Sequence, residues 1–109
     1  MEIQYNDKYC VITPLSSVLN KNQCDRLYCE IKSNIGFQIG LDLSFVNDCT
    51  EDFIEMLKSF RNLNVFNIPS DIFVLFNTMK MDKCLNLYAS EEDFTENSHR
   101  LINRSFKVL

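Results

Sequence analysis

The side chains best suited to chemistry gather between Phe45 and Phe53, inside the stretch "LDLSFVNDCTEDFIEML" (residues 41–57). Within nine positions it offers three carboxylates (Asp48, Glu51, Asp52), a thiol (Cys49), a hydroxyl (Thr50) and an aromatic ring in a loop position (Phe45). A thiolate at Cys49 would gain from the start of a following helix, but the neighbouring acids oppose it by raising its pKa. Thr50 is suited to cap that helix or to accept a phosphate. Glu51 and Asp52 fall in the first helical turn, where the helix dipole favours an acid by about 0.3–1 kcal/mol with no function required. Asp48, Glu51, Asp52 and Glu55 also form a set of oxygen donors. They lack the glycine and the alternation of a calcium loop, so a solvated acidic face is the simpler reading. Phe45 either anchors a partner from solvent or folds back onto the protein.

Nothing else in the chain resembles catalytic machinery. There is no glycine-rich phosphate loop, no nucleophile with a base at a recognisable spacing and no cluster of metal ligands, so no catalytic residue, metal or cofactor is expected. The five cysteines (Cys10, Cys24, Cys29, Cys49, Cys84) contain no CxxC pair, and the single His99 is far in sequence from all but the last of them. That spacing argues against zinc. An odd cysteine count, with no apolar segment behind a basic start, suggests a reduced, cytoplasmic protein, with Cys10 and Cys84 as small hydrophobes in apolar strand-like runs. A net charge of −4 argues against nucleic acid, since only the last ten residues, with Arg100, Arg104 and Lys107, are locally basic. No apolar run is long enough for a membrane span.

The elements that must position the acidic stretch follow from periodicity. At 109 residues one domain over 1–109 is expected, and two glycines and two prolines favour regular elements with short links. "MEIQY" and "KYCVITPL" read as a hairpin across Asn6-Asp7, with Pro14 ending the second strand. "SSVLNKNQ" reads as polar and irregular. Cys24, Leu27, Tyr28 and Ile31 fall at helical spacing between a cap at Asn22 and a stop at Gly36. "FQIGLDLSFV" alternates as a central strand, and Phe53, Ile54, Leu57 and Phe60 mark a second helix. "NVFNIP" is a strand. "SDIFVLFNTMK" is a helix opened by a Ser-Asp cap, with Ile72, Leu75, Phe76 and Met79 apolar. "KCLNLYA" is a short strand, and "SEEDFTENSHRLINRSF" a last helix with acids first and Arg100 and Arg104 late. The expected fold is α/β: one domain with a mixed, mostly parallel sheet of about five strands, the N-terminal hairpin at its edge and about four helices. In such sheets functional groups concentrate at the carboxyl ends of strands, where residues 45–53 fall.

This order of elements resembles the STAS domain, the fold of bacterial anti-sigma-factor antagonists and of the cytoplasmic tails of sulfate transporters. The resemblance rests on "IGLDLSFVNDCTEDFIEML" and "NVFNIPSDIFVLFNTMKMDKCLNLYASEEDF" and spans roughly residues 3 to 105. In the family an Asp-Leu-Ser strand end is followed by a variable loop and by an Asp-Ser-Ser-Gly motif that opens the next helix. Aligned without a gap from Asp42-Leu43-Ser44, that motif falls on Thr50, Glu51, Asp52 and Phe53. An acid, Glu51, stands where the family carries its phosphorylatable serine.

The resemblance implies a non-enzymatic regulatory module acting in transcription by partner switching. Its partner would be an anti-sigma-type serine kinase or another STAS protein, met through Phe45, Asp48, Cys49, Thr50, Glu51 and Asp52. Glu51 would then supply a permanent, smaller negative charge in place of phosphate. No nucleic acid or membrane partner is expected, and the chain is expected to be a monomer or weak homodimer. Two other roles compete: a small-molecule or nucleotide-sensing STAS-like domain, and a self-assembling structural subunit.

Overall fold

The computed structural model describes residues 1–97, together with the backbone of two short strands, Leu101–Ile102 and Lys107–Val108. The chain opens with β1 (Glu2–Tyr5) and β2 (Tyr9–Thr13), paired antiparallel. Asn6 makes the turn between them: its N–H donates to Tyr9 O at 3.0 Å, and its Oδ1 accepts from Tyr9 N at 3.0 Å. β2 ends one residue before Pro14, as expected of a residue that cannot donate to a ladder. After the brief strand β3 (Val18–Leu19) come α1 (Lys21–Ser33), β4 (Gln38–Asp42), β5 (Asp48–Cys49) and α2 (Glu51–Lys58). β6 (Leu63–Phe66), α3 (Ser70–Thr78), a 3-10 turn over Met81–Lys83, β7 (Leu85–Leu87) and α4 (Glu91–Glu96) follow. Leu101–Ile102 and Lys107–Val108 are β8 and β9.

The main sheet has the order β1-β2-β4-β6-β7-β8-β9, parallel from β2 to β7 and antiparallel at both margins. The chain adopts the expected mixed, mostly parallel α/β fold with an N-terminal hairpin edge and four helices. The five expected strands are β1, β2, β4, β6 and β7, and β8 and β9 add two at the far margin, where the sequence pattern predicts a continuing last helix. Side chains alternate across a strand, so the buried residues divide into two clusters. On one face Cys10, Ile12, Ile39, Leu41, Leu63, Val65, Leu85 and Leu87 pack against the apolar sides of α1, α2 and α3. The smaller cluster, on the other face, joins Val11, Phe66 and Tyr88 to Phe94 of α4.

Several local expectations are corrected. Residues 16–23 are not irregular: Val18–Leu19 form β3, and the cap of α1 is Asn20, whose Oδ1 accepts from Gln23 N at 3.1 Å, two residues before the expected Asn22. The helix closes at Asn34 rather than at Gly36, and the Asn34 side chain donates to Glu30 O at 2.8 Å. Tyr28 is partly exposed, with its ring 5.4 Å from that of Phe60 at the α1–α2 contact. The central strand stops at Asp42, so residues 43–46 belong to the loop. In α3, Pro69 takes the cap position, Ser70 is the first helical residue, and Met79 is exposed. Cys84 lies outside β7, closing the 3-10 turn with its thiol on Met81 O at 3.4 Å.

The last helix also stops early, at Glu96. Asn97 there adopts a left-handed conformation (φ 53°), and its Oδ1 accepts from the Tyr88 hydroxyl at 2.9 Å. His99, Arg100 and Arg104 lie outside the described residues. Asn62, Asn67 and Lys80 are the other non-glycine residues with positive φ among those described. Asparagine tolerates this region best after glycine, so a chain of two glycines makes its tight turns with it.

Candidate functional site

The Asp-Leu-Ser segment is, first of all, a strand terminator. Asp42 Oδ1 accepts from Ser44 N at 2.9 Å, a turn closed by a carboxylate two residues back, and also from Asn67 Nδ2 at 3.1 Å. Leu43 is fully buried, with its N–H donating to Phe66 O at 3.1 Å. The turn then sends successive residues in opposite directions. Val46 enters the core, whereas Phe45 is left 58% exposed.

A second loop supports this one. Val18 and Leu19 pair in parallel with Asp48 and Cys49, forming a two-stranded ribbon beside the main sheet. The N–H groups of Asn47 and Asp48 both donate to Ser17 O, at 2.8 and 3.1 Å. Thr50 completes the tie with its N–H and its hydroxyl, each 3.1 Å from Leu19 O. The hydroxyl is therefore spent on β3 and does not cap α2, although Thr50 occupies the cap position. A phosphate there would displace that bond from a half-buried site.

The remaining candidates sort by exposure. Asp48, Glu51 and Asp52 all face solvent, and none makes an ion pair among the described residues. Asp48 Oδ1 accepts from the Cys49 N–H at 2.8 Å, which orders the acid locally. Cys49 is half-buried, and burial first and Asp48 second push its thiol up from the ordinary cysteine range. That is the reverse of an activated nucleophile. Phe53 is fully buried, with its ring centroid 6.4 Å from that of Phe76. The structure thus brings Phe45, Asp48, Cys49, Thr50, Glu51 and Asp52 to one end of the molecule, and divides them between solvent and scaffold.

Sequence reasoning missed two members of this surface. Leu15 (55% exposed) and Val18 (44%) stand on the loop that the ribbon ties to the Phe45 loop. The signal was present as two apolar residues in the polar run "PLSSVLN", but only the β3–β5 pairing shows which loop they join. Among the described residues no three His, Cys, Asp or Glu side chains converge as a metal site would require. No described helix is long and apolar enough to cross a membrane.

Cysteine chemistry separates these environments. Burial, with Asp52 and then Cys49 adding to it, pushes the Cys24 thiol up to about 11. The native state then holds that proton longer than the unfolded chain does. The resulting stabilisation is complete below about pH 9 and is lost as the pH rises toward about 11. Alkylation at pH 8 followed by mass spectrometry should modify exposed Cys29 first and Cys49 more slowly. Buried Cys10 and Cys24 should react only when the chain unfolds. Labelling of Cys24 at the rate of Cys29 would contradict this assignment.

No family model matches the chain, and no curated protein matches it significantly.

Proposed function

We propose that the protein is a non-enzymatic, cytoplasmic interaction module of the STAS type. It binds a protein partner through the exposed apolar residues Leu15, Val18 and Phe45 and the acidic start of α2. The observation that carries this reading is the joining of two features at one end of the sheet. One is an apolar group on two hydrogen-bonded loops, and the other is a set of acids without ionic partners among the described residues. An isolated exposed apolar residue is ordinary, but three on linked loops beside an unneutralised acidic rim suit a partner with an apolar recess and basic margins.

The partner class is taken from the STAS resemblance: an anti-sigma-type serine kinase or another STAS protein. In this role Glu51 keeps a fixed negative charge at the switch position. Affinity then depends on salt and needs no phosphorylation of this chain.

The test is quantitative capture from host lysate on wild-type, Phe45→Ala and Glu51→Ser baits. A central aromatic anchor is worth about 2 kcal/mol or more, so Phe45→Ala should lower recovery of a kinase-like or STAS-bearing partner by roughly tenfold or more. Glu51→Ser should weaken the salt dependence. Equal recovery of that partner on all three baits would remove both residues from the interface and with them this reading.

A further inference from the structure

A second site lies at the opposite, amino-terminal ends of the parallel strands, on the sheet face that α4 covers only in part. Asn64 and Asn86 are paired neighbours on β6 and β7 and point to this face, while Leu63, Val65, Leu85 and Leu87 beside them point into the main core. Asparagine is depleted in strands, so two at adjacent central positions need a reason. Part of the reason is structural. Asn64 Nδ2 donates to Ile39 O at 3.0 Å, and Asn86 Nδ2 donates to Asn62 O and to Asn64 Oδ1, each at 3.2 Å. These bonds tie β4, β6 and β7 together above the backbone ladder.

The amides do more than cross-link strands, because they line a cavity of about 480 Å³. That volume falls within the usual range for small-molecule sites. Among the described residues its polar lining comprises Gln38, Asn62, Asn64, Asn86, Asn97 and Arg61, together with Tyr9 and Tyr88. None of the chain's 15 acidic residues lines it, although the protein is acidic overall. Tyr9, Phe37 and Phe60 add aromatic rings to the lining. Gln38 and Asn62 are exposed, and Arg61 makes no ion pair among the described residues.

A carboxamide presents a donor and an acceptor side by side, matching the paired donors and acceptors on the edge of a heterocyclic base. Aromatic walls suit the flat faces of the same ring. Among the described residues one cation and no carboxylate line the cavity, which favours a neutral or singly charged anionic ligand. Neither glycine lines the cavity, so no flexible backbone cradle for a polyphosphate is present. From this combination we infer that the cavity binds a nucleobase or nucleoside, held by the exposed Gln38 and Asn62 side-chain amides, with the cross-linked Asn64 and Asn86 lining the site and Arg61 at its margin. The site is distinct from the Phe45–Asp52 surface and does not depend on the function proposed for it.

The experiment is an NMR titration of the full chain, labelled with 15N, against adenosine, guanosine, cytidine and uridine at millimolar concentration, with ATP as comparator. At least one nucleoside should shift the Asn64 and Asn86 side-chain amide resonances saturably, and ATP should bind no tighter than adenosine. Asn62→Gly keeps the left-handed turn (φ 59°) while deleting one amide, and Gln38→Ala removes another from an exposed position, so both variants should fold. Each should weaken the dissociation constant about five- to tenfold, as expected for the loss of one hydrogen bond. Absence of any saturable shift would overturn the inference. So would affinities unchanged in both variants, or ATP binding tenfold tighter than adenosine.

Discussion

Phe53→Ala is expected to destabilise the protein by about 3–5 kcal/mol, a large part of the stability of a small domain. The ring is fully buried at the start of α2 and faces Phe76 of α3, so truncation opens a cavity where two helices meet the sheet. In urea unfolding the midpoint should fall with the slope unchanged, and the melting temperature should drop by roughly 10–20 °C. Phe53→Leu, which keeps most of the volume, should cost about 1–1.5 kcal/mol. By contrast Glu51→Ser and Asp52→Ser, two and one residues earlier and solvent-facing, should stay within about 1 kcal/mol of wild type. A loss below 1 kcal/mol for Phe53→Ala would mean that the ring does not hold α2 in place. The contrast bears on the proposed function. Phe53 anchors α2 from within, while Glu51 and Asp52 keep its acidic edge in solvent, where the proposed contact would form.

The second large effect is expected at Gly40, in the middle of the central strand. A Cβ built there would lie 2.6 Å from Phe94 Cε2 and 2.7 Å from Phe66 Cε2. The backbone at Gly40 is not in the left-handed region, so the glycine is required for space. Both rings are buried and stacked 5.5 Å apart, so neither can turn aside freely. Gly40→Ala should cost about 1–3 kcal/mol as an overpacking substitution, and Gly40→Val more. The strain should be relieved by release of Phe94, the only buried side chain of α4. Hydrogen exchange should therefore speed up in α4 before it does in the central strands. A double-mutant cycle supplies the check: in a Phe94→Ala background Gly40→Ala should cost clearly less. Equal costs in the two backgrounds would show that Phe94 is not what excludes a side chain at position 40.

The two substitutions also mark which parts of the molecule could be read from residue order. Strands β2 and β4 and helices α1 and α2 were legible because apolar residues recur with periods of two and about 3.6, and the buried faces follow those periods. The acidic loop was legible because its residues are contiguous, so its position after a central strand and before a helix needed no tertiary information. Burial of Phe53 was legible as part of the stripe it forms with Ile54 and Leu57.

What sequence pattern could not decide depended on partners distant along the chain. Val18–Leu19 is a strand only because Asp48–Cys49 lies beside it, and two residues carry no measurable alternation. The Thr50 hydroxyl could have accepted a hydrogen bond from a first-turn N–H of α2 or donated one elsewhere. It donates to Leu19 O because the ribbon brings that carbonyl within 3.1 Å. Helix α4 stops at Glu96, although its acid-first pattern runs on, because Asn97 turns left-handed and accepts from Tyr88. The amide-lined cavity draws on residues from position 9 to position 97, each unremarkable in its own segment. Local periodicity therefore determined the order of elements and the place of the acidic loop. Tertiary structure alone decided which apolar residues stayed exposed and which amides met, because those outcomes require the pairing of segments between about 20 and 90 residues apart, and local spacing carries no record of it.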